Sequence, residues 1–195
     1  MRELTPQYLI KHGIYEDYHN RTIDGFEQPK TRAFMKKVIN DFDNLADSNG
    51  GFYLFGSNGT GKTTAMNILL MEALKERYTA YCTDIQELST KFTDGWKDED
   101  EKKEYENMIE VDFLGVDDIG KEFNFNKLGI QLFEQILRFR SKRKKFTFIT
   151  SNNDKDDVES LYKSKGLSSL LENYVVVHFK GDDMRNSDKL KKKYL

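Results

Sequence analysis

The chain has 195 residues, of which 37% are hydrophobic and 13% aromatic, enough for one domain with a core and too apolar for a disordered chain. No apolar stretch approaches the roughly 18 residues that a membrane span needs, and the N-terminus lacks the apolar core of a signal peptide. The single cysteine, Cys82, excludes an intramolecular disulfide. We therefore expect a soluble cytoplasmic protein without a membrane partner.

Charge is unevenly distributed along the chain, although the net charge is only −2. Residues 84–122 contain 14 acidic and 5 basic residues, a net charge of −9. Residues 127–145 contain 7 basic residues and 1 acidic residue, a net charge of +6. These blocks are either solvated faces of the molecule or, for the basic block, a surface that meets an anionic polymer.

The first half of the chain shows an alternation of strand and helix patterns after a mixed N-terminal stretch. Residues 31–47 place apolar side chains at helical spacing, and "SNGG" ends that helix. The strand "FYLF", residues 52–55, leads into a glycine-rich loop, and an apolar-rich helix follows at residues 63–78. Residues 79–92 indicate a strand and then a helix, with Asp84 as the predicted helix start.

The second half continues the alternation after a charged stretch. Residues 93–107 are predicted to form a mobile, solvated excursion, although Trp96 within it suggests a contact with a partner. Strands are predicted in "VDFLGVDDIG", "FTFITSNN" and "YVVVHF", with an amphipathic helix at residues 127–145 and another near 154–163. The order predicts an α/β fold of three layers, with helices on both faces of a mostly parallel sheet.

The glycine-rich loop has the pattern of a phosphate-binding loop. "GSNGTGKT", residues 56–63, fits G-x-x-x-x-G-K-[ST] between a strand and a helix, which is the context that the motif requires. Its backbone amides and the helix N-terminus would surround phosphate oxygens, while Lys62 reaches the β- and γ-phosphates and Thr63 ligates Mg²⁺. The predicted ATP-binding residues are Gly56, Ser57, Asn58, Gly59, Thr60, Gly61, Lys62, Thr63 and Thr64.

Two further strands end in polar residues that suit nucleotide hydrolysis. Asp117 ends an apolar strand where a carboxylate on the magnesium side is expected, and Asp118 follows it. One acid could serve Mg²⁺ while the other orients the attacking water and accepts its proton. Thr150, Ser151 and Asn152 end the next strand, where an amide can bind both the γ-phosphate and the water.

Together, "GSNGTGKT", "VDFLGVDDIGKE", "LFEQILRFRSKRKKFTFITSN" and "GDDMR" resemble the AAA+ helicase-loader family. That family includes the DnaC and DnaI loaders, their phage equivalents and the related IstB transposition ATPases. The resemblance covers about residues 14–190 and implies a P-loop NTPase of the AAA+ type, here with a truncated C-terminal lid. It divides the chain into a short N-terminal segment, residues 1–13, and an ATPase domain, residues 14–195.

The resemblance also implies roles for individual residues. Asp117 corresponds to the magnesium-side acid of Walker B, Asp118 to the catalytic acid, Asn152 to sensor 1 and Arg185 to sensor 2 in a short C-terminal segment. By family position, the adenine pocket uses residues around 14–26. Family loaders usually carry an N-terminal helicase-binding domain, whereas little precedes the resemblance here, so we expect any helicase contact to use another surface, another chain or the N-terminal segment.

One position departs from the family pattern. Many members have an arginine finger, which reaches a neighbour's ATP site, just before the last strand, and this chain has Ser169 there. Serine cannot supply the charge that a finger contributes to the transition state. The candidate substitutes are Lys165 and three arginines of the basic block, Arg138, Arg140 and Arg143. A homo-oligomer through the ATP sites is expected on the same resemblance.

The basic block is the candidate surface for single-stranded DNA. Its predicted phosphate contacts are Arg138, Arg140, Lys142, Arg143, Lys144 and Lys145. Phe123 and Phe125, beside the acids, could stack on bases or join the core. The basic block could instead favour its helix by lying at the C-terminal end.

Four interpretations of function follow from these features. The resemblance favours an ATPase that loads or remodels a replicative helicase on single-stranded DNA. A transposition helper of the IstB type keeps the fold and changes the task, and a nucleotide-dependent binding module with weak turnover would explain Ser169. A small-molecule P-loop kinase is disfavoured, because such a kinase needs an arginine-rich lid and an acceptor pocket.

Overall fold

The computed structural model describes residues 3–26, 28–120, 127–162 and 165–181. The helices and strands, labelled in chain order, are α1 Pro6–Lys11, α2 Glu16–His19, α3 Pro29–Ile39, α4 Phe42–Ala46, β1 Gly50–Phe55, α5 Lys62–Lys75, β2 Ala80–Asp84, α6 Ile85–Asp94, α7 Glu99–Glu110, β3 Phe113–Ile119, α8 Lys127–Lys142, β4 Phe146–Ser151, α9 Lys155–Tyr162, α10 Lys165–Leu171 and β5 Tyr174–His178. A short 3-10 helix, Ile23–Gly25, lies between α2 and α3.

The five strands form one sheet in the order β2-β3-β4-β1-β5, and every pairing is parallel. Their carboxyl ends therefore lie at one edge of the sheet. Because β4 lies between β1 and β3, the segments that follow these three strands are neighbours in space. The predicted α/β fold is confirmed, and the sheet is parallel throughout rather than only for the most part.

Apolar side chains alternate between the two faces of the sheet and build a core on each. Phe148 belongs to the cluster beneath α3 and α5, and Phe52 packs against that cluster. Their neighbours Tyr53 and Ile149 belong to the cluster beneath α6, α8 and α10. Successive side chains of a strand point to opposite faces, so both faces must be covered by helices. This gives the three predicted layers.

The charged stretch after α6 is a helix rather than a mobile excursion. Asp98 caps α7 by accepting from the backbone amides of Asp100 and Glu101 at 2.8 and 3.2 Å. Met108 and Ile109 are buried in the second core cluster, so α7 presents its acids to solvent and its apolar side chains to the sheet layer. Trp96, at the turn between α6 and α7, is 68% exposed and lies edge-on to Phe92.

Two further features concern the part of the chain that precedes β1. The helix predicted over residues 31–47 is divided into α3 and α4 near Asp41. In the N-terminal stretch, Leu9 of α1 is buried in the first core cluster, and the backbone amide of Cys82 donates to the carbonyl oxygen of His12 at 2.9 Å. The division of the chain at residue 13 stays a prediction.

Candidate functional site

The phosphate loop, residues 56–63, runs from the end of β1 into the first turn of α5, and its glycines shape it. Gly56 has φ +151°, and a Cβ there would lie 2.2 Å from the carbonyl oxygen of Phe179. Gly61 precedes α5 with φ +89°, a conformation that L side chains rarely adopt. The Thr60 hydroxyl closes the loop by donating to the Ser57 carbonyl oxygen at 2.9 Å. The loop therefore wraps ahead of the N-terminus of a 14-residue helix.

Lys62 lies inside this loop and is only 6% exposed. Its ammonium donates to the carbonyl oxygens of Gly56 and Ser57 at 2.8 and 2.9 Å and to Oδ1 of Asn152 at 3.0 Å. A buried ammonium is stable only when it is well hydrogen-bonded, so these oxygens hold the positive charge in the centre of the loop. The side chain of Asn152 therefore connects the segment after β4 to the phosphate loop.

The two acids after β3 occupy different environments although they are adjacent in sequence. Oδ1 of Asp117 accepts from the hydroxyls of Thr63 at 2.8 Å and Thr150 at 2.5 Å. Asp118 has φ +59°, which turns its side chain away from that of Asp117. Oδ1 of Asp118 accepts instead from Nδ2 of Asn152 at 3.0 Å. The structure thus places one acid beside the loop threonine and the other beside the asparagine of β4.

This donor set fits a magnesium–nucleotide group. Mg²⁺ prefers carboxylate, hydroxyl and phosphate oxygens, and the contact between Thr63 and Asp117 offers the first two at one point. Backbone amides at the start of α5 suit the phosphates, because the N-terminus of a helix carries a partial positive charge. Lys62 adds a full positive charge within the same loop.

The stretch predicted to line the adenine pocket lies near these acids. Burial and then the negative charge of Asp117 raise the pKa of Tyr18, which places that ring within electrostatic reach of the site. Ile14 and Phe26 are buried in the first core cluster, whereas Tyr15 is 68% exposed. Which of these residues contacts a base stays a prediction.

Several predicted residues lie outside the site or outside the described residues. Arg185, Phe123 and Phe125 fall outside the described residues, and the side chain of Lys165 is likewise not described. Ser169 is exposed on α10, a helix that the sequence did not predict. The predicted roles of Arg185, Phe123, Phe125 and Lys165 therefore stay predictions, and so does the correspondence of Ser169 to the finger position of the family.

The assignment of Arg140 to DNA binding, and as a substitute finger, is wrong. Its side chain has 0% exposure and lies beneath α8 against the sheet. Its guanidinium donates to the carbonyl oxygens of Ile109, Val111, Asp112 and Phe146 and to the Thr147 hydroxyl, at 2.6 to 3.3 Å. Burial lowers the pKa of Arg140 to about 10, so it remains charged at neutral pH. From inside the core, Arg140 thus joins β4 to the end of α7 and to the segment that leads into β3.

The other five basic residues lie around the end of α8, at the edge of the sheet opposite the phosphate loop. Arg138 and Arg143 are exposed and lie 2.8 Å from Glu134 and 3.9 Å from Glu110, respectively. Lys142 and Lys144 are also exposed, and Lys144 lies 3.6 Å from Asp47. The length of β4 separates this surface from the candidate site by about 20 Å.

Lys145 differs from these four cations because it is engaged with the sheet. Its ammonium lies 2.6 Å from Oδ1 of Asp112. Although burial raises the pKa of Asp112, hydrogen bonds from Lys145 and Thr79 lower it below its usual value. Lys145 therefore contributes to the packing of β3 and β4 as well as to the surface charge.

Sequence reasoning assigned no specific role to Thr150 and Tyr53, although both position the site. Thr150 contacts Asp117 and also accepts from the backbone amide of Asp118 at 2.8 Å. The Tyr53 hydroxyl donates to the carbonyl oxygen of Asn153 at 3.0 Å and so fixes the segment after β4. A threonine opposite the acids in a parallel neighbour was the available signal, but it requires the register of β3 and β4.

The fold and the site define a P-loop NTPase of the AAA+ type. The chain belongs to the family of IstB-like ATP binding proteins, whose model matches residues 14–192. No curated protein sequence matches this chain with statistical significance. Among the described residues, no helix is both long enough and apolar enough to cross a membrane.

Solved structures share the fold at low sequence identity. A crystal structure of the DnaC helicase loader matches with a TM-score of 0.74 and 20% identity over 85% of this chain and 99% of the loader chain. A DnaI crystal structure matches with a TM-score of 0.66 and 20% identity over 87% of this chain and 93% of that chain. AMPPCP-bound DnaA from Aquifex aeolicus matches with a TM-score of 0.69 and 20% identity over 92% of this chain. This chain spans only 56% of that DnaA chain.

Proposed function

We propose that this chain binds ATP with Mg²⁺ and hydrolyses it. The observation that supports this proposal is the convergence of the phosphate loop, both acids and Asn152 at one edge of the sheet, joined by contacts of 2.8 to 3.0 Å. Bound Mg²⁺ would neutralise negative charge on the phosphates. ATP is the nucleotide we propose because the chain belongs to a family of ATP-binding proteins.

The residues would act in the following way. Lys62 and the amides of residues 56–63 bind the phosphates, and Thr63 with Asp117 holds the cation. Asp118 orients the attacking water and accepts its proton at the carboxylate. Asn152 contacts Lys62 and Asp118 at once, so it can hold the phosphate-binding lysine and the proposed general base in a fixed position relative to each other.

We further propose that hydrolysis serves the loading or remodelling of a replicative DNA helicase on single-stranded DNA. Structures described as a helicase loader and as DnaI share the fold, and they support this task by analogy. The exposed cations at the end of α8, namely Arg138, Lys142, Arg143 and Lys144, provide a surface for phosphate contacts that are independent of sequence.

ATP turnover with and without single-stranded DNA tests the proposal. We expect turnover that rises with DNA and a loss of nucleotide binding in Lys62→Ala. Fluorescence anisotropy with a labelled single strand should show salt-dependent binding that falls in the double variant Lys142→Glu, Lys144→Glu. Lys36→Glu, an exposed lysine of α3 on the opposite face of the sheet, is the control. Absence of binding at low salt would contradict the DNA proposal.

Capture of a purified replicative helicase by the immobilised chain, with ATP and without it, tests the partner. We expect capture that depends on ATP and is lost in Lys62→Ala. The second candidate function, a helper ATPase in DNA transposition, is favoured by the match to the IstB-like family model. Binding to a transposase in place of a helicase in the same assay would support this alternative.

We also propose a homo-oligomer in which a neighbouring chain contributes to the ATP site. Arg138 and Arg143 are exposed and remain candidate fingers, together with Lys165. Turnover per molecule should then rise with protein concentration and fall when the acting finger, Arg138, Arg143 or Lys165, is replaced by alanine. Turnover that stays low at every protein and DNA concentration would favour a nucleotide-dependent binding module.

A further inference from the structure

The pairing of β3 with β4 contains an irregularity at the two acids. Val116 pairs with Ile149, and the next pair is Ile119 with Ser151, so the register shifts by one residue. Asp117 and Asp118 consequently lie opposite one residue, Thr150. An extra residue in one strand re-aims side chains locally, and here it separates the directions of two adjacent carboxylates.

The Thr150 hydroxyl serves both acids at this point. It donates to Oδ1 of Asp117 at 2.5 Å and accepts from the backbone amide of Asp118 at 2.8 Å. A hydroxyl can donate once and accept as well, so both contacts are compatible with one another. Thr150 is 1% exposed, which means that water cannot easily replace either contact.

The same carboxylate oxygen of Asp117 also accepts from the Thr63 hydroxyl at 2.8 Å. Two threonine hydroxyls, one from the phosphate loop and one from β4, therefore converge on a single oxygen and define the rotation of the carboxylate. At Asp118, the contact with Thr150 holds a left-handed backbone conformation, φ +59°, that a residue other than glycine adopts only at a cost.

We propose that Thr150 is a positioning residue of the cation site, which sets the rotation of the Asp117 carboxylate and the backbone turn that directs Asp118 to Asn152. This inference rests on the proposed function, because it takes Asp117 as the residue that holds Mg²⁺. It adds a side chain on β4 to the residues on which cation affinity depends.

Two substitutions at Thr150 distinguish the effect of its hydroxyl from the effect of its shape. Valine is close in shape and has no hydroxyl, so Thr150→Val leaves both contacts unmade. Serine retains the hydroxyl, so Thr150→Ser keeps both. Thr147→Val is the matched control, since Thr147 is also fully buried on β4, and its hydroxyl accepts from Arg140 at 2.9 Å near the other end of the strand.

The experiment measures the affinity of the full chain for a fluorescent ATP analogue, in EDTA and across a titration of Mg²⁺. Mg²⁺ should increase the affinity for the analogue. In Thr150→Val we expect the Mg²⁺ concentration that gives half of this increase to rise about 10- to 100-fold, the effect typical of residues that orient a metal ligand. The affinity in EDTA should be unchanged. Thr150→Ser and Thr147→Val should both follow the wild-type Mg²⁺ curve.

Three outcomes would overturn the proposal. They are a wild-type Mg²⁺ curve in Thr150→Val, an equal shift in Thr150→Ser, and an equal shift in Thr147→Val. If Thr150→Val does not fold by circular dichroism, Thr150→Ala is compared with Thr150→Ser under the same criteria. A wild-type chain that binds no ATP, or binds it without regard to Mg²⁺, contradicts the proposed function itself, so the two failures are distinguishable.

Discussion

At the scale of single residues, Arg140 shows how far a charge pattern can mislead. In sequence it belongs to a run of basic residues, and that run predicted a DNA surface. In α8, however, the buried residues Leu132, Phe133, Ile136 and Leu137 recur at helical spacing, and Arg140 continues the same stripe. Helical periodicity was thus the better guide to this position than local charge.

Arg140→Met removes the guanidinium while keeping a long, flexible side chain. The carbonyl oxygens that Arg140 binds on α7, on β4 and in the segment before β3 would lose their donor within the core. Each buried group left unpaired costs about 1–3 kcal/mol, so we expect the free energy of unfolding to fall by at least about 3 kcal/mol.

Urea denaturation followed by circular dichroism measures this loss. Arg138→Met is the control, because Arg138 is half exposed and its ion pair with Glu134 contributes about 1 kcal/mol or less. Similar stabilities for the two variants would show that the Arg140 contacts do not hold the sheet and helix layers together.

At the scale of elements, the sequence predicted those whose hydrophobic pattern is strong. Strands β1, β3, β4 and β5 and helices α5 and α8 all lie where their periodicity indicated. Helix α7 was missed because eight of its twelve residues are charged and its few apolar residues are widely spaced. Its start signal, Asp98 followed by a first turn of acids, was present but was outweighed by the charge density.

Removal of the cap tests α7 directly. Asp98→Ala leaves the amides of Asp100 and Glu101 without their acceptor, which typically costs about 1 kcal/mol. Trp96, the single tryptophan, lies next to the cap and reports this region by its fluorescence. Glu106→Ala, an exposed change in the middle of α7, should have little effect.

If Asp98→Ala and the wild type unfold at the same midpoint concentration of urea, residues 99–110 contribute little to the stability of the fold. That result would restore the prediction of a solvated excursion. We expect instead a lower midpoint in Asp98→Ala, detected by tryptophan fluorescence and by circular dichroism.

At the scale of the whole molecule, the site could be predicted as a set of residues but not as an arrangement. The order of the strands brings the carboxyl ends of β1, β3 and β4 together. The alternation of strands and helices around the phosphate loop predicted a mostly parallel sheet, in which these ends lie at one edge. The register shift at Asp117 and the left-handed backbone at Asp118 could not be predicted, since they depend on the pairing with Thr150. Long-range pairing of this kind leaves no local signal in a single sequence.

The global stability should fall at alkaline pH because of buried tyrosines. Burial raises the pKa of Tyr174 to about 12, while an unfolded tyrosine ionises near pH 10. Between these values the unfolded chain loses a proton that the folded chain keeps, so the free energy of unfolding decreases as pH rises through 10. Below pH 10 this tyrosine adds no pH dependence.

The shift at Tyr174 corresponds to a loss of about 2–3 kcal/mol between pH 10 and pH 12. Urea denaturation at pH 8, 10 and 11.5 measures it for the wild type and for Tyr174→Phe, which has no phenol to ionise. We expect the alkaline loss to be smaller in Tyr174→Phe. An equal loss in both proteins would show that Tyr174 ionises normally in the fold.

The central claim is that the site both binds and hydrolyses ATP, with Asp118 acting on the water. The most direct measurement is a comparison of wild type and Asp118→Asn for Mg²⁺-dependent ATP binding and for single-turnover hydrolysis. We predict that Asp118→Asn binds ATP as the wild type does and hydrolyses it at least about 100-fold more slowly, as the loss of a general base implies. Unchanged hydrolysis in Asp118→Asn would contradict the account.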